Sequence, residues 1–88
     1  MTNYIKLRDD ILALGYPMEE KVVLALIIQM SEKGKGFWAG YKAMSTRLGI
    51  PKSSCKRYVE HLEEEGRVTI YSGRINGKTR KILAAKFP

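Results

Sequence analysis

The side chains able to do covalent or metal chemistry are few. His61 is the only histidine and Cys55 the only cysteine. A metal centre needs several such ligands at set spacings, and no carboxylates are arranged around either residue. Cys55 falls at an apolar helix position and reads as a small buried hydrophobe rather than a nucleophile. His61 is expected on the solvated or dimer-facing side of its helix. Asp9-Asp10 and Glu63 to Glu65 read as solvated surface, not as acid/base pairs. The glycine-rich run GKGFWAG lacks the Walker spacing and the following Lys-Ser/Thr, so it is no phosphate loop. The expectation is a protein without enzyme activity, cofactor, metal or evident small-molecule ligand.

What the sequence does carry is cation, and its placement is uneven. The formal net charge is +7. Residues 1–36 hold five bases (Lys6, Arg8, Lys21, Lys33, Lys35) and five acids (Asp9, Asp10, Glu19, Glu20, Glu32), which cancel. The whole excess lies in residues 37–88, where the only acids are Glu60, Glu63, Glu64 and Glu65. No acid follows Glu65, but six bases do. One-sided positive charge is the electrostatic footprint of a polyanion binder; the bland alternative is a solubilising surface.

At 88 residues the chain reads as a single domain, 1–88, with one cysteine and therefore no internal disulfide. Apolar residues at 44% and charged residues at 28% suit a globular protein rather than a disordered one. Stability must come from one core, extended or not by dimerisation. Met1 to Leu14 mixes charges into its apolar residues and is no secretory signal. The longest apolar run, Val22 to Ile28, is too short to span a bilayer. The expected compartment is the cytoplasm, with no membrane partner.

Four helical segments and a hairpin must position the cations. Tyr4, Leu7, Ile11 and Leu14 form one helical stripe, giving an accessory helix within 1–15 that stops at Gly15. A second helix starts at Pro17, with Glu19 and Glu20 in its first turn, and runs to about Lys33 before Gly34. Its centre is apolar almost all round, so other elements must cover every side. Phe37 and Trp38 are expected to plug the core as a short extended piece, with base stacking the other reading. The third helix runs from Tyr41 to Leu48, with Tyr41, Met44 and Leu48 on one face and Gly49 ending it. The fourth runs from Pro51 or Lys52 to Glu65, with Gly66 as its stop. Beyond it, Asn76-Gly77 signals a type I′ hairpin turn. That turn pairs Ile75 with Lys78, Tyr71 with Ile82, Ile70 with Leu83 and Val68 with Ala85. The ribbon is then apolar at its base and basic toward its tip.

The segment MSTRLGIPKSSCKRY, Met44 to Tyr58, meets the demands of two helices crossing at a tight turn. Ser45 is small where the second helix crosses. Gly49, four residues later, tolerates positive φ. Leu48 and Ile50 flank the turn, and Cys55 and Tyr58 supply buried contacts of the second helix, with Met44 upstream. The run LGIPKSSCKRYVEHLEEEGRV resembles the helix-turn-helix and wing start of bacterial and phage winged-helix regulators. GFWAGYKAMSTRLGI is similar to the preceding segment in phage and plasmid replication-initiation proteins and small regulators. The resemblance covers about residues 18–85. It implies an α+β winged helix-turn-helix: a three-helix core, an extra N-terminal helix, a helix-turn-helix over 41–65 and a wing over 67–85. Three positions depart from the pattern. Pro51 replaces the usual Ser or Thr cap, leaving Ser53 to share that role or the first turn to shift. Gly40 stands where a Ser or Thr often caps the preceding helix. Arg67 stands where an apolar residue is usual and is expected to be solvated.

With Cys55, Val59, Leu62 and Tyr58 inward, Lys52, Ser53, Lys56, Arg57 and Glu60 are left outside. The first turns then carry three bases and no acid, as a groove-inserting helix should. Lys52, Lys56 and Arg57 are candidates for base edges or phosphates, and Ser53 and Ser54 for phosphate at the helix start. The alternative is an ordinary solvated face. In the wing, Arg74, Asn76, Lys78, Arg80 and Lys81 are the candidate DNA contacts. The expected function is sequence-specific double-stranded DNA binding by a small, repressor-like regulator of a phage, virus or mobile element. The alternatives are a replication or recombination accessory protein and a winged-helix protein-interaction module. Tyr4, Leu7, Ile11 and Leu14 are candidates for a homodimer contact; the competing reading is that they complete the monomer's own core.

Overall fold

The structure, a computed structural model, describes residues 7–32, 34 and 36–85. It contains α1 (Asp9–Leu12), α2 (Met18–Glu32), α3 (Gly40–Leu48), α4 (Lys52–Glu64), β1 (Val68–Ile75) and β2 (Lys78–Ala85). This is an α+β fold of four helices and one two-stranded antiparallel hairpin. Among the described residues no helix is long and apolar enough to cross a membrane.

The helix α2 is the axle. Val23 to Ile28 are all buried, with Val23, Leu26 and Ile27 fully so. The Pro17 carbonyl accepts the first helical bond, from Lys21 N at 3.1 Å, so Pro17 precedes the helix rather than beginning it. Around α2 pack α1, α4 and β2; α3 lies on α4, and α4 on β1. Met44, Ile50, Cys55, Val59, Leu62, Val68, Phe37 and Leu83 close the same cluster.

The N-terminal helix differs from the expected one over Tyr4–Leu14. Tyr4 lies outside the described residues. Leu7 and Arg8 are not helical, and α1 spans only Asp9–Leu12, ending short of Gly15. The reason is local. The Arg8 backbone is extended (φ −72°, ψ 155°), and its carbonyl accepts from Ile11 N and Leu12 N. Its guanidinium is forked onto Asp10 at 3.1 and 2.6 Å, while Asp10 also accepts from Ile11 N. Arg8 is thereby held just outside the helix. The apolar stripe still points inward: Ile11 is 2% exposed in the chain's own core, and Leu7 and Leu14 pack partly against it.

The turn between α3 and α4 closes through the spaced pair in the sequence. Gly49 is left-handed (φ 70°, ψ 26°), and its N–H donates to Ser45 O at 2.8 Å. Ile50 is buried behind it. In α4, Cys55, Val59 and Leu62 are fully buried, and Tyr58 is half-buried.

The hairpin register is the one its turn dictates: Ile75↔Lys78, Tyr71↔Ile82, Ile70↔Leu83 and Val68↔Ala85. Asn76 (φ 54°) and Gly77 (φ 79°) supply the two positive-φ positions. Opposed residues share a face, so the ribbon has two. One carries Val68, Ile70, Leu83 and Ala85 into the core. The other carries Tyr71, Gly73, Arg80 and Ile82, with Tyr71 and Arg80 exposed and Ile82 buried. Phe37 extends the sheet as an isolated bridge to Leu83, with both N–H···O bonds at 2.8 Å. Ser31 anchors the far end of β2 to α2 by accepting from Ala85 N at 2.8 Å.

Gly36 and Gly49 are both left-handed, at φ 76° and 70°, but differ in room. A Cβ on Gly36 would lie 2.6 Å from the Leu83 carbonyl oxygen, whereas one on Gly49 meets nothing within 4 Å. Gly49→Ala is expected to cost about 1 kcal/mol, the backbone strain alone. Gly36→Ala should cost at least about 2 kcal/mol, because the oxygen it strikes belongs to the Phe37–Leu83 bridge. Denaturant unfolding of both variants checks this, and equal losses would contradict it.

Candidate nucleic-acid interface

The front of α4 follows from its back. Because Cys55, Val59 and Leu62 are buried, the 3.6-residue period turns Lys52, Ser53, Lys56, Arg57 and Glu60 to solvent, and all five are exposed. Ser54 is half-buried and less available than its neighbour. Pro51 stands at the N-cap position, and no side chain caps the helix, Ser53 included. The first N–H groups of α4 therefore point outward without a side-chain acceptor, beside Lys52 and Lys56, where the helix dipole favours an anion.

In the hairpin Arg74, Asn76, Lys78, Arg80 and Lys81 are all exposed. The strands divide them. Arg74 and Lys81 share the face that becomes core at the ribbon's base, while Lys78 and Arg80 share the opposite face. On that outer face the Arg80 guanidinium lies 5.8 Å from the centre of the Trp38 ring, within cation–π range. Arg57 lies 5.6 Å from the Tyr58 ring in the same manner. Sequence reading had passed over Trp38 as a partner for Arg80, since nothing in the spacing joins residues so far apart. It had also passed over Lys42 and Arg47, exposed on α3.

Among the described residues, Lys42, Arg47, Lys52, Lys56, Arg57, Arg74, Lys78, Arg80 and Lys81 make no ion pair with a carboxylate. The pairs that form are Arg8 with Asp10 and Glu32, and His61 with Glu20. Two acids find hydroxyl partners elsewhere. Glu19 accepts from the Tyr58 hydroxyl at 2.8 Å and Glu65 from the Tyr16 hydroxyl at 3.3 Å, while Arg67 reaches that same Tyr16 oxygen at 3.4 Å. The Glu19 carboxylate, as acceptor, pushes the Tyr58 phenol pKa up.

His61 is not simply solvated. Its Nδ1 contacts a carboxylate oxygen of Glu20, the only buried charged residue among those described, and the Tyr16 ring meets the imidazole edge-on. The pair joins α2 to α4 across 41 residues, a separation at which sequence gives no cue. The hydrogen bond to Glu20 raises the His61 pKa above its ordinary 6.5, and Glu65 and Glu64 add to this. Cys55 is fully buried, its thiol directed at the Ile50 carbonyl at 3.7 Å, and burial pushes its pKa up. It is a packing residue and no thiolate.

In comparisons with known proteins, the chain matches no family model, no curated protein and no solved structure.

A group whose pKa is raised by folding stabilises the fold in its protonated form. The His61–Glu20 contribution is therefore fully present below about pH 6.5 and is lost as pH rises through the higher folded-state value. The stability gap between the wild type and His61→Gln is expected to be wider at pH 6 than at pH 9. Denaturant midpoints at the two values measure it, and a gap that does not change with pH would refute the coupling.

Proposed function

We propose that the chain is a winged-helix protein that binds double-stranded DNA sequence-specifically, as a small repressor-like regulator. In this reading α4 enters the major groove by its N-terminal turns and the β1–β2 hairpin follows the adjacent backbone or minor groove. One observation carries the reading. The exposed cations of α4 and of the hairpin make no carboxylate contact among the described residues, while α4 is backed by fully buried Cys55, Val59 and Leu62. A helix so backed presents its outer side chains at fixed angles, which base readout needs and mere solubility does not.

Roles follow from chemistry. Lys52 and the free N–H groups of the first α4 turn suit phosphate. Arg57 and Lys56, one turn further in, suit guanine edges, with Arg57 able to make a bidentate contact. Ser53 can donate to phosphate or base. Arg74, Lys78, Arg80 and Lys81 suit the phosphates on either side of the ribbon, and Asn76 lies at its tip. The acids Glu60, Glu63 and Glu64 occupy the far half of α4, away from the proposed groove. A protein-interaction role fits less well, because a docking face is usually depleted of unpaired lysine.

The test is duplex binding by fluorescence anisotropy across a salt series, with a selected and a scrambled sequence. If about six cations meet phosphate, log affinity should fall against log salt with slope near −5. Replacing Lys52 and Arg74 by Ala should each flatten the slope by about 0.9 and weaken both duplexes alike. Arg57→Ala should instead cost about tenfold or more on the selected duplex and little on the scrambled one. Binding that ignores salt, or equal effects of Arg57→Ala on both duplexes, would overturn these assignments.

A further inference from the structure

A cavity of about 220 Å³ opens between the first turn of α3 and strand β2, lined by Phe37, Gly40, Tyr41, Lys81 and Leu83. Its walls are firm. Phe37 and Leu83 are each 3% exposed and are tied to each other by the paired backbone bonds of the bridge. Tyr41 is half-buried on the α3 side, and Gly40 brings no side chain into the mouth. The lining is almost wholly apolar and aromatic; Lys81 borders it, itself exposed and with no carboxylate partner among the described residues.

Three properties limit the occupant. The first is size. An apolar cavity of about 150 Å³ holds benzene, while sites for drug-sized ligands start near 300 Å³. One ring with a substituent, or two fused rings, fits; a nucleotide does not. The second is wall chemistry: two aromatic side chains and a leucine favour a flat apolar ring. The third is charge. Lys81 offers a single cation at one side. Burial, and then the charges of Glu60 and Glu63, push the Tyr41 phenol pKa up, so it adds no charge of its own.

We propose that this cavity binds a small planar aromatic monoanion, its ring between Phe37, Tyr41 and Leu83 and its carboxylate at the Lys81 ammonium. The site does not rest on the DNA-binding reading. The two meet only at Lys81, whose charge an occupant would neutralise. Sequence could not reveal it, because the lining comes from a loop, a helix start and a strand that meet only in the fold.

The test is a titration of the 15N-labelled full chain with sodium 2-naphthoate, and separately with neutral 2-naphthamide, at fixed ionic strength. Naphthoate should give saturable amide shifts centred on Gly40, Tyr41 and Leu83, with a Kd on the order of 0.1–5 mM for so few atoms. Lys81→Glu, an exposed substitution, should weaken naphthoate about tenfold and change naphthamide less than about twofold. Absence of saturable shifts at those amides up to 10-fold above that range would overturn the site. So would equal weakening of acid and amide by Lys81→Glu.

Discussion

A helical stretch that is apolar on every side cannot stand in water on any side, and the centre of α2 is such a stretch. Six consecutive residues, Val23 to Ile28, are buried, and covering them requires α1, α4 and β2 at once. Each large side chain so covered contributes about 2 kcal/mol relative to exposure. A domain this small has little else to draw on. The functional consequence is shared anchorage. The helix α4 and the hairpin are far apart in type but sit on the same axle, so neither can shift without uncovering α2.

The charge pattern is organised by the same packing. Several acids are drawn into contacts: Asp10 with Arg8 at the start of α1, and, between elements, Glu19 with Tyr58, Glu20 with His61 and Glu65 with Tyr16. The bases of α3, the front of α4 and the hairpin are left without such contacts among the described residues. Unpaired like charges on a small domain repel and lower its stability. In the proposed duplex binding, that repulsion would be relieved by the phosphates.

How far the sequence reached depended on the range of the interaction. Local rules worked. Asn76-Gly77 set the register of the whole ribbon, because a two-residue turn leaves no freedom. Ser45 and Gly49 marked the α3–α4 turn, now joined by a backbone bond. The buried stripe of α4 was readable from its period, and with it the outward residues Lys52, Ser53, Lys56 and Arg57. Periodicity failed at the first segment. The stripe through Ile11 was real, but the Arg8–Asp10 fork decided where the helix begins, and hydrophobic spacing is blind to a salt bridge two residues apart. The Glu20–His61 pair was hidden for a different reason. Glu20 looked like an ordinary first-turn acid, and only the crossing of α2 by α4 buries it.

The hairpin shows why a basic ribbon need not be a loose one. An isolated two-stranded ribbon is marginal in water, and the part of this one beyond Leu83 and Ile70 carries no side chain in the main core. Yet Ile75 and Ile82 are buried there, at 9% and 4% exposure. The glycine at 73 makes this feasible. Its missing side chain leaves room on the outer face, and the Ile82 side chain fills the spot a Cβ would occupy. Arg80 lies across from Gly73 and folds onto Trp38, which covers the same face from the Phe37 side. The outer face thus has a small apolar patch of its own, rimmed by Tyr71, Trp38 and Arg80. A ribbon braced in this way can hold Arg74 and Lys78 at fixed height above the core. Rigidity of that kind lowers the entropy lost when those cations meet a partner, which is where binding by long flexible side chains is otherwise weakest.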